Sequence, residues 1–342
     1  MTLDEILAQI NAGLPGTPEE DIAYLEEQTE AYADSKFAKE VARACGRLIY
    51  ERIPEETKKD TLEKIMAEEL RPINDALEEA KGLLEAGDVD AALAAMEALT
   101  EKLDAAKTSG LFQDDAASEY YCFNEPFEEL LYMHLHQPSR DVRRSAIPFA
   151  EAYHLYGGLL MEKEAFRAAN YVLKEAVRWN PSSAKIRFEY GESFKAMGDM
   201  DHFLEITRDT FAVAFRPDDL ARCFRNMGYY LSEQEAWNEA AGCYVLSMQY
   251  DDKAPMAAHE LTYIENKSDG TAKAPSAEDM LATCERYDIP FGPSDLVIGV
   301  AYHYGEEFLK HGNAPAAHYF LTIAYDLTED EDIKAILDKL NQ

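Results

Sequence analysis

Residues 150–183 read AEAYHLYGGLLMEKEAFRAANYVLKEAVRWNPSS, and this stretch decides the fold. Its apolar residues recur at three- and four-residue intervals, Tyr153, Tyr156, Gly157 and Leu160 in the first half and Ala169, Leu173 and Ala176 in the second, which is the period of a helix face. A polar break at Glu162–Glu164 separates the halves, and Pro181 closes the second. The spacing predicts two short antiparallel helices. A glycine in the first and an alanine in the second permit close approach, and the large residues around them fill the remaining volume.

The same arrangement recurs downstream. Residues 184–217 carry Arg187, Tyr190, Gly191 and Phe194, a turn at Gly198–Asp199, then Phe203, Thr207 and Thr210. Here Phe203 stands where the pattern wants a small residue, so this pair is expected to splay or repack. Residues 221–254 carry Phe224, Met227, Gly228, Leu231, Trp237, Ala240 and Tyr244. Residues 298–331 carry Tyr304, Gly305, Phe308, Gly312–Asn313, Ala317, Leu321 and Ala324. All four copies put glycine at their eighth place.

A period of about 34 residues with these residue types resembles the tetratricopeptide repeat. The resemblance implies an all-α solenoid of antiparallel helix pairs wound as a right-handed superhelix. It covers 140–342 well and 1–139 loosely. In the latter region Leu83, Gly87–Asp88, Ala92, Met96 and Leu99 suggest a further pair in 73–106, with Ala80 at the glycine place, and 23–56 suggests another. Thr17–Pro18–Glu19–Glu20 reads as a helix start. Between the third and fourth copies, 256–297 reads as a pair with a stretched polar connection at 266–275. No alternating run predicts a strand.

Composition narrows the function classes. The chain has 342 residues, 47% of them hydrophobic, with 33 Lys and Arg against 66 Asp and Glu, a net charge of −33. Residues 1–139 carry 12 basic and 32 acidic side chains, 140–225 carry 14 and 13, and 226–342 carry 7 and 21. A strongly negative surface repels nucleic acid and anionic membrane, so neither is an expected partner. Five scattered cysteines without a Cys-x-x-Cys pair fit a reducing compartment, and no stretch reaches the roughly 20 apolar residues of a membrane span. The first residues, MTLDEILAQINAGLPG, are acidic where a secretory signal is basic. A cytoplasmic location is expected.

Motifs of catalysis are missing from the sequence: no Gly-x-Gly-x-x-Gly after a strand, no Gly-x4-Gly-Lys-Ser/Thr and no Gly-x-Ser-x-Gly. His134 and His136 point apart on a helix, and His303, His311 and His318 straddle an expected turn, so no metal or other cofactor is predicted. The expected protein is not an enzyme.

What the resemblance implies instead is a groove. In such families the first helix of each pair lines the concave face, and peptide segments lie there. Carried over place by place, the groove positions include His154, Lys185, Phe188, Arg222, Arg225, Asn226, Tyr229 and Tyr302. Arg222, Arg225 and Tyr229 are expected on one helix face, where two guanidiniums would hold an acidic or C-terminal carboxylate group of a partner, unless both pair with neighbouring acids instead. The clamp that some relatives use for chaperone tails is disfavoured, because His154, Gly158 and Glu189 occupy places that need lysine or asparagine. The leading expectation is therefore a non-catalytic scaffold that binds a protein or peptide. The second is a peptide-sensing regulatory domain without a DNA-binding head, and the remote third is a helical enzyme of unknown class.

Overall fold

The computed structural model describes the chain except residues 1, 55, 59, 61–69, 109–111, 113, 252, 254 and 341–342. It is almost wholly helical and falls into two compact units, one of 1–122 with 138–152 and one of 123–137 with 153–342. Sequence placed a division at 139/140. The two units interleave across that point, since 123–137 packs within the second.

In the first unit the helices are α1 (Leu3–Ala12), α2 (Pro18–Ala31), α3 (Ala38–Arg52), α4 (Arg71–Glu85) and α5 (Val89–Thr108). Thr2 opens α1 through a capping box with Glu5. Thr17 is the N-cap of α2 with Pro18 at the first helical position, but its hydroxyl donates to Glu20 Oε2 at 2.7 Å instead of capping the backbone. Leu3, Ile6, Ile10, Leu25, Val41 and Cys45 form one small core. The pair α4–α5 falls where the sequence suggested a further helix pair: Ala80, Ala92, Met96 and Leu99 are all fully buried, and Gly87 makes the turn at φ +80°.

One expectation is corrected here. Two short strands, β1 (Ser118–Tyr121) and β2 (Asp141–Arg144), pair in parallel with Ser118 opposite Asp141 and Tyr121 opposite Arg144. Four residues are too few to display a period of two. The ladder is held at its ends by side chains: Asp115 Oδ1 accepts from the amides of Ala117 and Ser118, and Arg140 pairs with the buried Glu119 at 2.6 Å.

The second unit contains α6 (Pro126–His136), α8 (Phe166–Trp179), α9 (Ala184–Ala196), α10 (Met200–Phe211), α11 (Pro217–Glu233), α12 (Trp237–Tyr250), α13 (Pro255–Lys267), α14 (Ala277–Tyr287), α15 (Asp295–Lys310), α16 (Ala314–Thr328) and α17 (Glu331–Leu340). Most of α7 (Phe149–Glu162) belongs to it too. The four expected pairs are α7–α8, α9–α10, α11–α12 and α15–α16. Consecutive pairs stack, α8 on α9 and α10 on α11.

Glycine does in them what the pattern requires. A Cβ on Gly157 would meet Leu173 Cγ at 2.4 Å, on Gly228 it would meet the Tyr244 ring at 2.8 Å, and on Gly305 it would meet Leu321 Cγ at 2.6 Å. At Gly191 the nearest atom is Ile206 Cγ2 at 3.6 Å, so the α9–α10 pair is the looser one, as the bulk of Phe203 predicts. Ala169 and Ala240 are fully buried at their pair contacts.

Between the third and fourth pairs, α13 and α14 both pack on α12 and are joined by the stretched connection. That connection is tethered: the Ser268 side chain is buried and accepts from the Ala272 amide, and the Lys273 amide donates to Asn238 Oδ1 at 2.8 Å.

Candidate functional site

Three helices of the second unit begin at one cavity of about 480 Å³. Their N-caps are Glu125 for α6, Ser183 for α9 and Arg216 for α11, and all three line it. Each helix start leaves backbone N–H groups without partners inside the helix and carries a partial positive charge. The chain treats the three ends differently.

The start of α6 is closed by its own acid. Glu128 Oε2 accepts from the amides of Asn124 at 2.6 Å and Glu125 at 3.2 Å, and from Asn180 Nδ2 at 2.9 Å. Glu128 is 4% exposed, and burial pushes its carboxyl above the ordinary range, against the lowering effect of those three hydrogen bonds. Phe127, one residue back, packs edge-on to Phe215 with ring centroids 4.9 Å apart and lies 6.2 Å from Phe320. Glu125 accepts from the Tyr319 hydroxyl at 2.9 Å and pairs with Arg216. A helix from the region read as N-terminal repeats is thus seated against α11 and α16.

The start of α11 carries Asp218 and Asp219 in its first turn, the sign a helix N-terminus favours. Neither has a hydrogen-bond or ion-pair partner among the described residues. Burial, helped by the adjacent Asp218, pushes Asp219 up to about 6, with Arg216 and Arg222 pulling the other way.

The start of α9 has no side-chain cap and no acid in its first turn. It carries Lys185, which is exposed, lines the cavity and has no partner among the described residues.

One turn further along α11 stands Arg222, its guanidinium 4.5 Å from the Phe188 ring centroid and 3.3 Å from Glu189 Oε1. Arg225 follows at the next turn, 3.2 Å from Asp251 Oδ2, with its Nε buried and unpartnered. The two arginines therefore do have acidic neighbours, the alternative the sequence left open.

Of the eight groove residues expected from the repeat places, Lys185, Phe188, Arg222 and Arg225 meet in this cavity. The other four do not line it. His154 is half-buried in α7, and Asn226 is buried in α11. Tyr229 lies a turn beyond the cavity, with the Lys195 ammonium 4.6 Å from its ring centroid and the Phe203 ring at 6.0 Å. The Tyr302 hydroxyl donates to Glu306 at 3.2 Å. Sequence reasoning missed Glu125, Glu128, Phe215, Arg216, Asp218, Asp219 and Asp251. The pattern Glu125–Pro126 followed by Glu128 is a legible capping signal, but nothing in it tells which unit the helix joins.

No group of three or more His, Cys, Asp or Glu side chains among the described residues is arranged to hold a metal ion. No described helix is long and apolar enough to cross a membrane.

The helix pairs and their glycine contacts form an all-α helical repeat that resembles the tetratricopeptide type. No family model and no curated protein matches the chain. Solved structures with a distant likeness include PilF of Pseudomonas aeruginosa, at 10% identity and TM-score 0.40 over 78% of this chain and 97% of that one. The Cut9–Hcn1 hetero-tetramer of the APC/C matches at 11% identity and TM-score 0.34 over 98% and 62%, and the TPR domain of P58(IPK) at 12% and 0.23 over 99% and 97%.

Proposed function

We propose that the second unit is a non-catalytic, peptide-binding scaffold, and that the cavity at the starts of α6, α9 and α11 receives a carboxylate of the bound segment. One observation carries the reading: Lys185, unpaired among the described residues, stands at the N-terminus of α9, which has no side-chain cap, and lines a cavity that Arg222 also lines. A carboxylate there would gain a charged hydrogen bond and the unused amides of a helix start together. Phe188 and Phe215 supply apolar wall for the adjoining side chains. The five cysteines, none of them in a disulfide, agree with a reducing compartment such as the cytoplasm.

The test is fluorescence anisotropy with labelled octapeptides of mixed sequence, prepared with a free C-terminal carboxylate and as amides. The free form should bind at least tenfold more tightly, and Lys185→Ala should remove most of that preference. Equal binding of both forms, or a preference untouched by Lys185→Ala, would reject the reading.

A further inference from the structure

The charges around the cavity sort into two groups. Most are satisfied by their neighbours: Arg216 by Glu125, Arg222 by Glu189, Arg225 by Asp251, and Glu128 by Asn180 and two backbone amides. What remains is Lys185 at the start of α9 and the Asp218–Asp219 pair at the start of α11. These are opposite charges at the starts of two helices that border one cavity, and no ion pair links them.

From this we infer that the cavity takes a short zwitterionic peptide of two or three residues, its carboxylate on Lys185 and its α-ammonium on Asp218 and Asp219. The inference rests on the carboxylate-binding reading above and adds the second terminus to it. Its premise is that a ligand bearing both charges can pair with Lys185 and with Asp218 and Asp219 without breaking an ion pair of the cavity, since Arg216, Arg222 and Arg225 keep their acidic partners. Lys185 and Asp218 are exposed, and at the half-buried Asp219, whose carboxyl burial pushes up to about 6, an ammonium would favour the charged form.

Size and polarity agree. A cavity of about 480 Å³ is within the range of small-ligand sites, which run from about 300 to 1,000 Å³. Two or three extended residues span roughly 7–11 Å at 3.3–3.6 Å each, a length of the order of the cavity's own dimensions, and Phe188 and Phe215 offer apolar wall for a side chain. A zwitterion also enters without working against the field of a chain with net charge −33, which an anionic ligand must do. An internal segment of a protein offers neither an α-ammonium nor an α-carboxylate. A protein tail offers the α-carboxylate without an α-ammonium two or three residues away, so only a lysine side chain there could reach the two aspartates.

Calorimetric titration of the full chain at pH 7.5 with the dipeptides Ala-Phe and Leu-Phe, each also as its N-acetyl and C-amide derivative, tests the inference. The unblocked dipeptides should bind, and each blocked form should bind at least tenfold more weakly. The double change Asp218→Asn, Asp219→Asn should erase the penalty for acetylation while keeping the penalty for amidation, and Lys185→Ala should do the reverse. That crossed pattern separates binding loss from misfolding, because each variant retains one of the two discriminations. An acetylated dipeptide that binds as well as the unblocked one overturns the zwitterion and leaves the carboxylate reading standing if the amide is still rejected. Dipeptides that fail to bind while a free-carboxylate octapeptide succeeds have the same effect. If neither dipeptides nor octapeptides bind, both readings fall.

Discussion

Leu173 occupies the space that a side chain at Gly157 would need: a Cβ there would stand 2.4 Å from the leucine Cγ. Leu173 is fully buried, so Gly157→Ala would force its side chain to shift in a packed core and should cost about 1–3 kcal/mol through overpacking. Gly191 occupies the equivalent place in the next repeat, yet its nearest neighbour is 3.6 Å away. There alanine fits and gains helix propensity, so Gly191→Ala should be neutral or stabilising by up to about 1 kcal/mol. Urea denaturation of the two variants checks the contrast, and equal losses would mean that the α9–α10 pair is as tight as α7–α8.

Removal of Glu128 has a different consequence. Glu128→Ala would strand the buried Asn180 side-chain amide and free the part-buried backbone amides of Asn124 and Glu125. Asn180 Oδ1 already lacks a partner, so the asparagine could not compensate. A loss of about 3 kcal/mol is expected, and Glu128→Gln should lose less, since burial already disfavours the charged form. Chemical denaturation showing Glu128→Ala within about 0.5 kcal/mol of wild type would mean that α6 is not held by this residue.

Helix-pair packing is legible in the sequence because it depends on local spacing. Gly157 and Leu173 are sixteen residues apart, and one repeat contains both partners. The looseness at Gly191 was equally readable from the bulk of Phe203. Four cavity residues were found the same way, because Lys185, Phe188, Arg222 and Arg225 sit at fixed repeat places. The rest depends on contacts that no local period encodes: Glu128 meets Asn180 across 52 residues, and Glu125 meets Tyr319 across 194. The strands escaped notice because each is four residues long and is fixed by side-chain bonds from Asp115 and Arg140.

Asp219 should make stability depend on pH. Its carboxyl rises from 3.8 to about 6 in the folded chain, chiefly through burial, with Asp218 and Glu125 adding to the rise and Arg216 and Arg222 opposing it. A carboxyl that holds its proton more tightly when folded contributes stability below about pH 4, and that contribution is lost as pH rises through 6. The shift of about two units corresponds to at most about 3 kcal/mol, larger than the 0.3–1 kcal/mol an acid near a helix start gains from the dipole. Asp219→Asn should therefore raise Tm at pH 8 and change it little at pH 4. A variant less stable than wild type at pH 8, or a difference independent of pH, would contradict this.

Arg222 and Arg225 look alike in the sequence and differ in the structure. Arg225 pairs with Asp251 at 3.2 Å with only 14% of its side chain exposed, whereas Arg222 and Glu189 sit 3.3 Å apart with 33% and 32% exposed. Water screens the second pair, so its coupling in a double-mutant cycle should stay below about 1 kcal/mol. The first pair is mostly desolvated. Arg225→Ala alone should cost about 1–3 kcal/mol by removing a mostly desolvated guanidinium from Asp251, and the Arg225–Asp251 cycle should give a coupling of about 1–3 kcal/mol. Urea denaturation of the single and double alanine variants measures both cycles. Equal, small couplings would make the two arginines interchangeable surface charges. The expected asymmetry has a practical consequence for the cavity: any ligand lost on changing Arg225 would be confounded with lost stability, while exposed Lys185, which has no partner among the described residues, reports on the ligand.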